Sequence, residues 1–292
     1  MEITETRGLS STGLKWIALV LMVLDHIHYM FGYTGWVPEW FSMAGRLAAP
    51  LFLFCLAEGF AHTHNKRKYF IKVYLIHLLM SGLLFLMMAG VLPVRPDGFY
   101  PMNGMMTSFS ILMVMFQGMD WLGEKRWGPG LAAVVLPLAW PILASALMGV
   151  APALQLPLSV LGYTLLPMWN SNPDAGVGTI LIGILLYALR KDRRKQVAAF
   201  VAFTLLYYLV YVYYMASQYP DFHWTQMFTA YYEWYGALAA VLMLCYNGER
   251  GRGPKRFFYL FYPAHVYILY ALSWAAYPLL AGPEAGGPLG LV

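Results

Sequence analysis

Long apolar runs separated by short polar or basic stretches fill this sequence. They lie near residues 14–31, 40–61, 69–92, 105–119, 130–149, 177–190, 197–217, 228–246 and 257–281. Each reads as a membrane helix, since a hydrocarbon layer about 30 Å thick takes a helix of about 20 residues. A tenth run, 155–169, is shorter and is interrupted by Pro157, Gly162 and Pro167. The pattern predicts an all-α, polytopic membrane protein of about 9–10 transmembrane helices, one of them short or re-entrant. Barrel strands alternate apolar and polar residues in segments of about ten, and that pattern is absent. No internal repeat is visible, so one transmembrane domain over 1–292 is the simplest organisation.

Basic residues give the expected orientation. Arg7 with Lys15, the group Lys66, Arg67, Lys68 and Lys72, and the pair Lys125 and Arg126 fall on alternate loops. That places the N-terminus in the cytoplasm. Two further clusters, Arg190–Lys195 and Arg250–Arg256, join the same side if 155–169 does not cross fully. Of 19 lysines and arginines, only Arg46, inside a span, and Arg95, in an outer loop, then escape the rule. The outer connections are 32–39, 93–104, 171–175 and 218–226. Trp36, Trp40, Tyr100, Trp169, Tyr219 and Trp224 around them are expected at the bilayer interface, and 281–292 is a loose Gly/Pro tail.

Composition agrees with this reading. Residues are 60% apolar and 11% charged, against about 25% charged in soluble domains. The net charge of +5 comes from loops beside spans, so it signals topology and no nucleic-acid partner is expected. Cys55 and Cys245 both fall in apolar segments and read as buried thiols, without zinc spacing. The run 14–31 holds Asp25 and His26, and no small-residue cleavage site follows it, which argues against a cleavable signal peptide.

The charges inside the spans are the candidate chemistry. His26 lies 11 residues past Lys15, roughly 16 Å into the hydrocarbon. An ionisable group there is a functional candidate by default. Neighbours on a helix point about 100° apart, so Asp25 is poorly placed to hold His26. Across helices it can reach Arg46, and along its own helix His28. Histidine suits general-base work near neutral pH, and the Arg46 fork suits an oxyanion or a diphosphate. A purely structural Asp25–Arg46 pair and an Asp-His-x-His metal site are the competing readings. Glu58, about 18 Å further along its helix than Arg46, lies either at the inner mouth of a cavity or at the interface as a snorkelling acid. His265, with Tyr262, forms either a second wall of the same cavity or a hydrogen-bonded core contact. Asn103 and Thr107 open a span where an amide can orient a carbonyl. Glu233 reads as interfacial and His77 as packing. Lys66, Arg67 and Arg256 on the basic loops can hold phosphates, although orientation alone also explains them.

Several stretches carry a resemblance. Lys15-Trp-Ile-Ala, Met22-Val-Leu-Asp-His26, Gly45-Arg-Leu-Ala-Ala-Pro-Leu-Phe and Ala57-Glu-Gly59 resemble the opening of TraX-type membrane proteins. Asn103 with Thr107, Tyr246-Asn-Gly-Glu-Arg-Gly251 and Tyr259-Leu-Phe-Tyr-Pro-Ala-His265 continue the likeness in order. His28 stands where a small residue is expected, and 120–225 match in hydropathy alone. The family is named for an enzyme that acetylates the N-terminus of conjugative pilin, so the resemblance implies acyl transfer. It implies acetyl-CoA as donor, no metal, and His26, Asp25, Arg46, Glu58, Asn103 and His265 as the polar positions.

The expected protein is therefore a multi-pass acyltransferase of the cytoplasmic (inner) membrane, surrounded by lipid bilayer. It takes acetyl from cytoplasmic acetyl-CoA to a hydroxyl or amine of an exported peptide or glycan. His26 serves as base, with His265 as the alternative, Arg46 stabilises the oxyanion and Asp25 supports them. Glu58, Asn103, Tyr262, Lys66, Arg67 and Arg256 are the expected binding residues. A transporter or flippase with a midplane charged site is the other reading.

Overall fold

A computed structural model describes residues 8–171, 176–219 and 221–281. Arg7, residues 172–175 of one expected outer connection and the tail 282–292 lie outside the described residues. The helices are α1 (Ser11–Phe31), α2 (Trp40–Gly45), α3 (Ala48–Ala61), α4 (Lys66–Met88), α5 (Met105–Gly123), α6 (Trp127–Val150), α7 (Gln155–Tyr163), α8 (Val177–Ala188), α9 (Arg193–Gln218), α10 (Ala239–Leu244) and α11 (Lys255–Leu280). Among the described residues there is no β-strand, only an isolated bridge between Leu9 and Tyr246.

Among the described residues, five stretches are both long and apolar enough to cross a bilayer: Ser11–Thr34, Trp40–Ala61, Lys66–Met88, Trp127–Val150 and Arg193–Gln218. α5 and α11 are long as well, at 19 and 26 residues, but polar side chains and tyrosines dilute their hydropathy. Outward-facing Leu131, Val135, Leu136, Ile142 and Leu143 on α6 are exposed. A helix apolar all round suits lipid, not water. The chain is an all-helical, polytopic membrane protein. Of the expected interfacial aromatics, Trp36, Trp40, Tyr219 and Trp224 are exposed. Trp169 and Tyr100 are half-buried, and the Trp169 indole N–H donates to the Leu138 carbonyl.

The chain divides into two compact units. The first comprises residues up to Tyr29, Val37–Gly59 and Leu185–Pro254. Its first helix begins with every free amide satisfied, although the four leading N–H groups of a helix lack helical partners. Ser10 Oγ accepts from Gly13 N at 3.2 Å, as an N-cap serine does. Ser11 N and Thr12 N donate to the carbonyls of Glu249 and Arg250, and Leu14 N to Ser10 O. Thr12 Oγ1 adds a bond of 2.8 Å to Arg250 O. The stretch supplying these carbonyls turns at Gly251, whose φ of 74° favours glycine. A Cβ there would also strike the Ser10 side chain.

The expected single span 40–61 is two helices, α2 and α3, parted at Arg46–Leu47. Pro50 is the physical reason. It has no N–H for the Arg46 carbonyl, and its ring crowds that oxygen. Gly236 lies close by: a Cβ there would sit 3.2 Å from Arg46 O. Gly236 belongs to a second irregular segment, a 3₁₀-helix over Glu233–Leu238 that continues as α10. Of the expected span 228–246, only 233–244 is helical, in two styles.

The second unit comprises Met30–Trp36, Phe60–Ile184 and the chain from Lys255 onward. α4 packs on α11, with Lys72 Nζ 5.6 Å from the Tyr259 ring centroid and Tyr267 Oη 3.4 Å from Met80 O. α7 has nine residues, about 13 Å of helix, too short to cross the membrane. The chain then leaves helical form at Thr164. Carbonyls at membrane depth need partners from protein, and three consecutive ones find them. Thr164 O accepts from His77 Nε2 at 2.9 Å, Leu165 O from Tyr74 Oη at 2.5 Å and Leu166 O from Trp140 Nε1 at 3.1 Å. His77 is thus more than packing. Its Nε2 carries the proton, and its Nδ1 accepts from the hydroxyls of Ser81 at 3.0 Å and Thr107 at 3.1 Å.

Arg95 is not a loosely held outer-loop charge. It is 2% exposed, ion-paired to Asp97 at 2.7 Å. Nη1 donates to Met30 O and Ser273 Oγ. The rings of Tyr33, Phe99 and Tyr277 lie 4.6, 4.2 and 5.3 Å from its guanidinium carbon. Burial alone would raise the Asp97 carboxyl. Hydrogen bonds from Arg95 and the Phe99 amide, with the Arg95 charge, outweigh it and hold Asp97 below the usual carboxylate range.

Candidate functional site

Within the first unit, Asp25 on α1 faces the break between α2 and α3. Arg46 Nη2 is 2.7 Å from Asp25 Oδ1 and 2.9 Å from Ser42 Oγ. Ser42 in turn donates to Asp25 Oδ1 at 3.1 Å, and Arg46 Nε donates to Ser42 O at 3.2 Å. α1 and α2 approach this closely because position 45 is glycine: a Cβ there would occupy the space of the Asp25 side chain. Depth matches as well. Asp25 lies six residues before the end of α1 and Arg46 six after the start of α2, each about 9 Å along its helix from that end.

Further polar groups surround this pair. Glu39 Oε2 is 3.1 Å from His28 Nε2, and the Tyr232 hydroxyl donates to Glu39 Oε1. His28 therefore meets Glu39, not Asp25, and the two do not converge as an Asp-His-x-His metal site would require. The Tyr232 ring lies 5.9 Å from the Arg46 guanidinium carbon. Glu233 acts electrostatically on Arg46, on Tyr208 and on Tyr211. It is half-buried, and its Oε2 is wholly buried with no hydrogen-bond partner among the described residues. His26 is 7% exposed, its ring centroid 6.4 Å from that of Tyr29.

Glu58 makes a separate cluster in the same unit. It is 5% exposed and held by Arg193, with Nη2 3.2 Å from Oε2 and Nη1 3.3 Å from Oε1. The Arg193 guanidinium lies between the rings of Phe54 and Tyr246, at 4.4 and 4.8 Å. Gln196 Oε1 accepts from it at 2.6 Å. Glu58 is neither a snorkelling acid nor a partner of Arg46. Cys55, one turn away, is fully buried, with Sγ 3.8 Å from Ser11 O. Cys245 is exposed, contrary to the expectation of two buried thiols.

The remaining predicted residues lie in the second unit. Asn103 is half-buried just ahead of α5. His265 is 6% exposed and Tyr262 likewise. His265 Nδ1 donates to the Phe261 carbonyl at 2.9 Å, and its ring stacks on Phe261 at 5.0 Å. Lys66 Nζ is 2.6 Å from Asp120 Oδ2, so its charge is engaged, whereas Arg67 and Arg256 are exposed.

Asp25 and Arg46 are thus brought together, and Ser42, Glu39, Tyr232 and Glu233 join them. Of those four, the sequence singled out Glu233 alone, and only as an interfacial acid. A tyrosine or serine in an apolar run carries no signal of its own, and Glu233 is far from Arg46 in sequence.

Comparison with known proteins places these residues in a lineage. A curated protein of Dichelobacter nodosus, described as "Probable fimbrial assembly protein FimC, serogroup H1", is 28% identical over 263 residues, covering 89% of this chain and 94% of its own. No solved structure matches significantly. The family described as TraX protein matches residues 10–214 and, overlapping, 158–273. Together these span the Asp25–Arg46 cluster, the Glu58–Arg193 pair and His265, and the chain belongs to the TraX protein family.

Proposed function

We propose that this protein is an integral membrane acyltransferase. It moves an acetyl group from acetyl-CoA to a hydroxyl or amine of an envelope or exported acceptor, either a peptide N-terminus or a glycan. Family membership and the fimbrial-assembly relative support an exported acceptor. The observation that carries the chemistry is the half-engaged guanidinium of Arg46. Nε and Nη2 are tied to Ser42 and Asp25. Among the described residues no hydrogen bond uses Nη1, so its two N–H groups remain to meet a developing oxyanion. A fixed cation at a water-poor site stabilises such charge without reorganising. The exposed Arg67 and Arg256 suit the phosphates of a coenzyme A arriving at the basic loops. The acceptor approaches from the side of the Trp36 and Trp40 ends.

The test follows free coenzyme A released from acetyl-CoA by purified protein in detergent. Wild type is expected to release it, and Arg46→Lys, which keeps the charge but not the fork, to lower turnover by about 10²–10³-fold while still binding donor. No release, even with membrane extract as a source of acceptor, sinks the enzyme. The reading that gains is a transporter or flippase. It is favoured by the α2–α3 break, which meets the 3₁₀ segment Glu233–Leu238 where Gly236 approaches the Arg46 carbonyl.

A further inference from the structure

The reaction needs a group to take the acceptor's proton, and the sequence points only to imidazoles. The cluster around Arg46 contains three carboxylates whose surroundings differ. Glu39 has both oxygens committed, one to His28 and one to Tyr232. Asp25 is ion-paired with Arg46 and bonded to Ser42, and taking a proton would forfeit that pairing. Glu233 is different: its Oε2 is buried and, among the described residues, accepts from nothing. A buried oxygen left without a donor is costly, and such an exception calls for an explanation.

Arg46 and Glu233 are complementary in what they leave unused. Arg46 retains two N–H donors, and Glu233, the neighbour of Tyr232 whose ring lies 5.9 Å from the Arg46 guanidinium carbon, retains an acceptor. An acyl transfer in which an O–H or N–H attacks a thioester needs both at one place. We propose that Glu233 is the catalytic base, receiving the acceptor's proton on Oε2 while Arg46 holds the oxyanion. This deepens the acyltransferase reading and rests on it.

The step balances. The acceptor's oxygen or nitrogen bonds to the thioester carbonyl carbon, its proton passes to Glu233, and the carbonyl electron pair moves onto the oxygen facing Arg46. Return of that pair breaks the C–S bond. Coenzyme A leaves as thiolate and takes the proton back from Glu233 to become thiol, which regenerates the carboxylate. Among the described residues, the charged and titratable groups that Glu233 acts on electrostatically include Arg46 from the α2–α3 link and Tyr208 and Tyr211 from α9. The 3₁₀ turn keeps the carboxylate in place, with Tyr232 pinned to Glu39 and Gly236 against the Arg46 carbonyl.

The experiment measures acetyl transfer against pH for wild type, Glu233→Gln, Glu233→Asp and His26→Ala, with thermal unfolding of each in detergent. A carboxylate base produces a limb on which rate falls as pH falls. Glu233→Gln is expected to unfold like wild type, keep KM for acetyl-CoA within about twofold, lose turnover by about 10²–10⁴-fold and lose that limb. Glu233→Asp is expected to recover part of the rate with the limb retained. His26→Ala keeps the limb. Glu233→Gln at nearly wild-type rate, or with the limb intact while His26→Ala removes it, overturns the proposal and leaves the acyltransferase standing. A Gln variant that fails to fold shifts the decision to Asp, where a full rate loss with no limb counts against it. A wild type without transfer overturns both.

Discussion

Arg95 shows how one residue can do several jobs at once in this chain. Its charge is balanced by Asp97, its planar faces by three aromatic rings and its remaining donors by Met30 O and Ser273 Oγ. Replacing it with methionine leaves Asp97 buried and unpaired, a loss of about 3–5 kcal/mol, visible as a lower unfolding temperature at neutral pH. The acid side has a definite sign. Because the folded Asp97 carboxyl lies below its ordinary value, its stabilisation is full above about pH 4 and disappears as pH falls through the folded value. Wild type should lose unfolding temperature on that descent, and Arg95→Met should lose less. The Asp25–Arg46 pair was legible in the sequence because counting residues put both at similar depth. The Arg193 partner of Glu58 was not, being 135 positions away in a basic cluster whose presence orientation alone explained.

Among the elements, the irregular ones carry the information. Helical apolar runs were readable from hydropathy, but the style of a helix was not. The α2–α3 break follows from Pro50, and a proline within a span does not by itself announce which neighbouring segment will use the released carbonyl. The stretch after α7 is clearer in this respect, since Thr164, Leu165 and Leu166 each depend on a named side chain. His77→Phe keeps a flat aromatic ring in place of the imidazole but orphans the Thr164 carbonyl. It is expected to cost about 1–3 kcal/mol, measured by thermal unfolding. His77→Gln, which can still donate, should recover part of it. Equal stability of wild type and the Phe variant would mean that the carbonyl finds another donor.

For the whole molecule, the distribution of charge makes a prediction that hydropathy does not. Single cysteines at Arg67, Arg126, Arg194 and Arg252, in a background lacking Cys55 and Cys245, are expected to react with a membrane-impermeant maleimide from one face only. A cysteine at Trp36 should react from the other. Labelling of Arg194 and Arg126 from opposite faces would show that the chain crosses once more between them than α7 allows. The division into two compact units, by contrast, left no trace in composition. Each unit is assembled from distant parts of the chain, and sequence order does not reveal which return to the same neighbourhood. That interleaving gives the strap at the start of α1 a meaning in time. The first helix enters the membrane early, yet two of its leading amides have their partners in Glu249 and Arg250, and the Thr12 hydroxyl reaches Arg250 across 238 positions. At roughly 5–20 residues per second of synthesis, the helix waits on the order of 10–50 s with its opening turn unfinished. During that interval water, lipid headgroups or an insertion factor must cover the amides, so nascent chains arrested before residue 249 should be more exposed to proteases at residues 8–13 than the completed protein.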